Sequence, residues 1–189
     1  MRRVSKDGRS RSGRTAAAVL TVISASGLGG TLTPGAVFTQ AGTGNQSTKA
    51  YVVGTMWDGP WTKERRYILW SEYFEVDVGR WSTRRGVTTS TAWPTQVGII
   101  PTLRLRSSPE SRWFGELGVG PNYIVPLFRS GTKRFSTEFN FGDHVGVGRS
   151  FGSARRFEIS LRTEHFSNAG IRHPNPGENF LQARLSMRF

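Results

Sequence analysis

The chain alternates. In residues 179–189 the odd positions carry Leu181, Ala183, Leu185, Met187 and Phe189, and the even ones Gln182, Arg184, Ser186 and Arg188, with Phe180 the exception. Successive side chains of a β-strand point to opposite sides, so a strand with two unlike faces separates two environments. Residues 157–164 repeat the pattern, with Phe157, Ile159, Leu161 and Thr163 against Glu158, Ser160, Arg162 and Glu164. In 135–141, Phe135, Thr137, Phe139 and Phe141 oppose Ser136, Glu138 and Asn140. No helix-period segment stands out after residue 36. Period-two segments between clusters of Gly, Pro, Ser and Asp place strands at 36–43, 48–57, 66–78, 95–105, 113–124, 135–150, 156–167 and 179–189.

Two architectures produce such alternation. In a soluble antiparallel sheet the apolar face meets a core and the charged face meets water. In a membrane barrel the apolar face meets lipid and the charged face fills the lumen. Three features favour an all-β, eight-stranded, antiparallel up-and-down transmembrane β-barrel over 36–189. The strand number is even, with lengths near the roughly 9–11 residues that cross a bilayer at a tilt. Glu158, Arg162, Glu164, Arg184 and Arg188 share polar faces and have opposite signs, so they can pair inside a narrow lumen. The C-terminal residue is an apolar-face aromatic, Phe189, as is usual for bacterial outer-membrane barrels.

The N-terminus adds export. Basic residues end at Arg14, and Ala16 to Ile23 is apolar and followed by Ser24, Ala25, Ser26 and Gly27. That order suggests a secretory signal peptide over about residues 1–30, cleaved somewhere between Ala25 and Ala36. The chain has no cysteine, so disulfides and thiolate metal sites are excluded. No His/carboxylate spacing suggests a metal, and Gly146, Gly148 and Gly152 lack the strand–helix context and the Lys of a phosphate loop, so no cofactor is implied.

The formal charge is +13, of which the first 14 residues carry +5, so the remaining +8 belongs to the barrel region. Such an excess suits an anionic partner. Nucleic acid is disfavoured, because the arginines alternate away from the aromatic face. A phosphate-rich membrane surface remains, with Arg129, Arg162 and Arg172 as candidate contacts. Trp57, Trp61, Trp70, Trp81, Trp93 and Trp113 fall mostly near strand ends, as interfacial girdles do.

Short turns of bacterial barrels face the periplasm and longer loops face outward. Strand 156–167 then runs toward the outside, and His165 and Ser167 sit at its outer end. Their odd parity, shared with Ile159 and Leu161, turns them to the lipid. An imidazole beside a hydroxyl is the arrangement that activates a serine nucleophile, and it needs a third group to orient the imidazole. A lone His-x-Ser pair is common, and its placement is what gives it meaning. Glu178 is the nearest downstream carboxylate. Its even parity turns it inward, so it reaches the outer face only through a bulged strand entry after Pro174-Asn175-Pro176-Gly177. His144 and His173 read as structural or loop residues.

From about Val37 to Phe189 the sequence resembles the PagL-type lipid A 3-O-deacylases. The strongest block is Arg162 to Phe189, with His165-Phe166-Ser167-Asn168 and Pro174-Asn175-Pro176-Gly177-Glu178. Phe139-Asn140-Phe141-Gly142-Asp143-His144 and Gly146-Val147-Gly148 support it. The resemblance implies an outer-membrane esterase that hydrolyses the 3-linked hydroxyacyl chain of lipid A in the outer leaflet. It implies Ser167 as nucleophile, His165 as general base, Glu178 as orienting acid, and Asn175 and the Gly170 amide at the oxyanion, with the family's Glu able to sit one residue later. The implied partner is lipopolysaccharide, and a homodimer is allowed. The alternative is a non-catalytic barrel that binds lipopolysaccharide or has a structural role.

Overall fold

The computed structural model describes residues 33–84 and 91–189. The expected signal peptide over 1–30 lies outside the described residues. Eight long strands follow in order: β1 (Ala36–Gly44), β2 (Lys49–Arg65), β3 (Ile68–Arg84), β4 (Thr95–Arg106), β5 (Trp113–Val125), β6 (Phe139–Phe151), β7 (Phe157–Ser167) and β8 (Glu178–Arg188). Each pairs antiparallel with the next, and β1 pairs with β8 from Ala36↔Arg188 to Gly44↔Phe180, which closes the sheet. A closed barrel has no free edge and satisfies every ladder group between strands, as a bilayer requires.

Parity sets the two walls. Ile159, Leu161, Val145, Val147, Leu181 and Leu185 are each about half exposed and point outward. Glu158, Arg162, Glu164, Gln182 and Arg184 alternate with them and are buried. The molecule is polar inside and apolar outside, the inverse of a soluble domain.

The interior is packed in zones. Arg162 donates to Glu75 at 3.2 Å and also bonds Glu116, Arg184 makes paired bonds to Glu75 at 2.6 and 2.7 Å, and Arg104 bridges Glu116 and Glu158. Tyr73 Oη donates to Glu116 at 2.9 Å. Charges so buried are tolerable because each is paired and hydrogen-bonded. Toward the end carrying the 168–177 loop, the network gives way to aromatics. Trp81 lies 4.8 Å from both Phe166 and Phe180 and 5.3 Å from Phe128, in edge or tilted contacts. Phe128 in turn packs on Phe135 at 4.8 Å.

Several expectations are corrected. The β2–β3 hairpin is longer than 48–57 and 66–78, because its strands continue pairing to Arg65↔Ile68 past an irregularity between Asp58 and Thr62. Polar residues dominate that extension, so its period is weak in sequence. β6 starts at Phe139, not at residue 135, and Phe135 is a buried loop residue of the aromatic plug instead of a lipid-facing one. Trp81 is also in the plug, fully buried, with Nε1 donating to Gln96 at 2.9 Å, and does not belong to an interfacial girdle. Trp93 and Trp113 are exposed near strand ends, as expected.

Candidate functional site

The last turn of β7, the loop 168–177 and the first residues of β8 form the site. His165 and Ser167 point outward from β7 and are half-buried. Being two residues apart on one face, their Cα atoms are separated by about 6.6–6.8 Å of strand. Below them toward the barrel middle the outer wall is apolar, with Leu161, Leu181 and Val145 exposed. Phe141 is the cross-strand neighbour of Ser167, and Asp143 that of His165.

The loop is held by Asn168, a buried side chain at the strand end. Its Nδ2 donates to Ser136 Oγ at 3.0 Å, Thr137 Oγ1 at 3.2 Å and the Arg172 carbonyl at 2.8 Å. Its Oδ1 accepts the Gly170 N–H at 3.0 Å. Its own N–H donates to Asn175 Oδ1 at 3.1 Å, which makes Nδ2 the opposite, donor end of Asn175. The chain then turns left-handed through Ala169 (φ 52°) and Gly170 (φ 79°), and the Ala169 N–H reaches Ser167 Oγ at 3.4 Å. So Asn175 and Gly170 both lie in one hydrogen-bonded loop with Ser167.

Glu178 is elsewhere. The pairing of β7 with β8 runs unbroken through His165↔Asn179 and Phe166↔Glu178, with no bulge at the strand entry. Parity therefore holds, and Glu178 points into the barrel with no exposed surface. There its carboxylate accepts from Lys133 Nζ at 2.8 Å. The group found at His165 is Asn179, whose Oδ1 lies 2.6 Å from His165 Nδ1. The signal that identifies Asn179 was present in the sequence: it shares odd parity with His165, and the antiparallel return puts it opposite. A search restricted to carboxylates passes over it.

Gly177 has φ 61° and sits against the imidazole. A Cβ built on it falls 2.6 Å from His165 Cε1 and 3.2 Å from Nε2. Only a glycine meets both demands there, the backbone conformation and the close approach.

Of the arginines expected at the membrane surface, Arg129 and Arg172 are exposed on the loops of this end. Arg162 is not at the surface, since it is wholly buried in the ionic network. His144 is a buried lumen residue and His173 an exposed loop residue.

A closed eight-stranded barrel, ionic within and apolar without, carries a serine and a histidine on its outer wall. That defines a small transmembrane β-barrel with both of these side chains on its outer wall instead of in the lumen. The family described as lipid A 3-O-deacylase (PagL) matches residues 46–188. Lipid A deacylase PagL of Bordetella bronchiseptica is 32% identical over 130 residues, covering 64% of this chain and 70% of that one. Lipid A deacylase PagL of Pseudomonas aeruginosa is 34% identical over 67 residues, covering 34% of this chain and 35% of that one. A crystal structure of the outer membrane enzyme PagL superposes with a TM-score of 0.71 at 22% identity, covering 82% of this chain and 99% of that one, and shares the fold. The chain belongs to the lipid A 3-O-deacylase (PagL) family, a family of carboxylic ester hydrolases.

Proposed function

We propose that the chain hydrolyses the ester of the 3-linked hydroxyacyl chain of lipid A in the outer leaflet, with Ser167 as nucleophile and His165 as general base. The observation that carries this reading is the position of the pair. Both side chains stand on the outer wall at the loop end of β7, directly above exposed Leu161 and Leu181. Acyl chains lying against that wall bring an ester near their head to the height of Ser167.

Ser167 Oγ attacks the ester carbonyl while His165 takes its proton. The oxyanion needs donors aimed at it, and removing one such donor typically costs about 10²–10³ in kcat. Asn175 supplies Nδ2, and Gly170 supplies its backbone N–H in exchange for its bond to Asn168. The tetrahedral intermediate collapses, and the proton on His165 passes to the departing 3-oxygen of the sugar. Water, deprotonated by His165, then cleaves the acyl-serine and releases the hydroxy fatty acid. Arg129 and Arg172, exposed on the loops, suit the phosphates of the lipid head group.

The test is mass spectrometry of lipid A after incubation with the refolded protein. The expected result is loss of one 3-hydroxyacyl chain, abolished by Ser167→Ala and by His165→Asn. Unchanged lipid A in the presence of a correctly folded barrel overturns the reading and leaves a non-catalytic lipopolysaccharide-binding barrel.

A further inference from the structure

We infer that Asn179, a neutral amide, is the positioning residue that orients His165, so that the site works as a serine–histidine–asparagine set with no carboxylate on Nδ1. The inference rests on the reading of Ser167 and His165 as nucleophile and base.

Three observations support it. Asn179 is the register partner of His165 and faces outward with it, and its Oδ1 lies 2.6 Å from Nδ1. An amide oxygen only accepts, so the proton of the neutral imidazole is held on Nδ1 and Nε2 keeps its lone pair for the serine. The absence of a side chain at Gly177 leaves the room this ring orientation occupies, since a Cβ there would fall 2.6 Å from Cε1 and 3.2 Å from Nε2. Glu178, the carboxylate next in sequence, is committed to Lys133 on the lumen side.

The charged groups around the imidazole come from each neighbouring strand. β6 presents Asp143, exposed and opposite His165 in register. β8 presents Glu178 behind the wall, paired there with Lys133 from the segment between β5 and β6, and β7 itself turns Glu164 inward. None of these is bonded to Nδ1, whose partner is Asn179.

A neutral partner fixes the tautomer as a carboxylate does, but it stabilises the imidazolium formed in the transition state less. Losing the orienting carboxylate of such a set costs roughly 10⁴-fold in kcat in serine proteases, and a neutral amide contributes less. Asn179→Ala is therefore expected to lower kcat at least about 10²-fold with little change in KM. Asn179→Asp keeps the acceptor and adds charge. It is expected to restore kcat and to move the acid limb of the pH–activity profile to higher pH, because a carboxylate favours the protonated imidazole.

The experiment uses the refolded full chain on lipid A in detergent micelles. It compares wild type, Asn179→Ala, Asn179→Asp, Asp143→Asn, Glu178→Gln and Ser167→Ala, with heat-modifiable gel migration as the check on folding. Nitrogen-15 NMR of His165 adds a readout independent of turnover: an Nδ1–H tautomer in the wild type, lost in Asn179→Ala. An inactive Ser167→Ala with Asn179→Ala unchanged in kcat, tautomer and pH profile overturns the inference and leaves the serine reading standing. The inference also falls if Asp143→Asn or Glu178→Gln, and not the Asn179 variants, shifts the acid limb. A folded Ser167→Ala that still deacylates defeats the nucleophile assignment itself.

Discussion

Gly177→Ala tests whether the site depends on the close fit of the loop against His165. A Cβ at this position lies 2.6 Å from His165 Cε1. Ordinary carbon–carbon contact begins near 3.5 Å, so about 0.9 Å must be found. Gly177 is followed by β8, whose pairing fixes the backbone, so the imidazole is the part that yields. Moving the ring by nearly 1 Å distorts the 2.6 Å bond to Asn179 and displaces Nε2. A misplacement of about 1 Å in a reacting group costs on the order of 10²-fold in rate, equivalent to about 2.7 kcal/mol of transition-state stabilisation. The left-handed φ of 61° adds a separate penalty to folding, about 1–2 kcal/mol for a residue with a Cβ. Deacylation rates from mass spectrometry, measured across lipid A concentrations, separate the two effects. The rate loss appears in kcat with KM little changed, and the folding loss appears as a lower urea midpoint. A folded Gly177→Ala protein with kcat within about three-fold of wild type refutes the reasoning, because the ring then tolerates displacement.

Two further outcomes concern the walls of the barrel. Arg162→Ala removes one of the two buried arginines that each of Glu75 and Glu116 pairs with, leaving Arg184 and Arg104, and breaking such buried pairs costs about 3–5 kcal/mol, so the urea midpoint falls; Arg162→Met restores bulk but not charge and falls as well. Val145→Arg puts a charge on an outer-wall side chain that is 57% exposed. Near the bilayer midplane this costs about 2–4 kcal/mol, read as weaker folding into vesicles by gel migration, and a folding yield equal to wild type shows that this wall does not face lipid.

Much of the barrel is legible in the sequence because one physical rule, alternation between lipid and lumen, acts on every residue of β7 and β8. Their ends are expected to within one residue. The same rule fails where the chain stops crossing the membrane. Phe135 alternates in step with Phe139 and Phe141, yet it lies beyond the strand and turns into the plug with Phe128. Trp81 has the composition of an interfacial residue, and only the packing of Phe166 and Phe180 from two other strands reveals it as core. Arg162 looks like a surface phosphate ligand until Glu75 and Glu116, far off in sequence, are brought across the lumen to it. On β7, the outward placement of His165 and Ser167 is legible through parity. Glu178 illustrates the opposite risk: chemistry argued for a carboxylate, parity argued against that one, and the structure follows parity.

The aromatic plug and the ionic network have a consequence for the membrane itself. An outer membrane is a permeability barrier, and any protein that spans it risks opening a leak. Here Trp81, Phe128, Phe135, Phe166 and Phe180 occlude one end of the bore, and the paired charges of Glu75, Glu116, Arg104, Arg162 and Arg184 occupy the space beyond. Among the described residues, such an interior fills the bore with packed and paired side chains in place of a water column. A membrane can carry many copies of a barrel so filled without surrendering the tightness of its own layer.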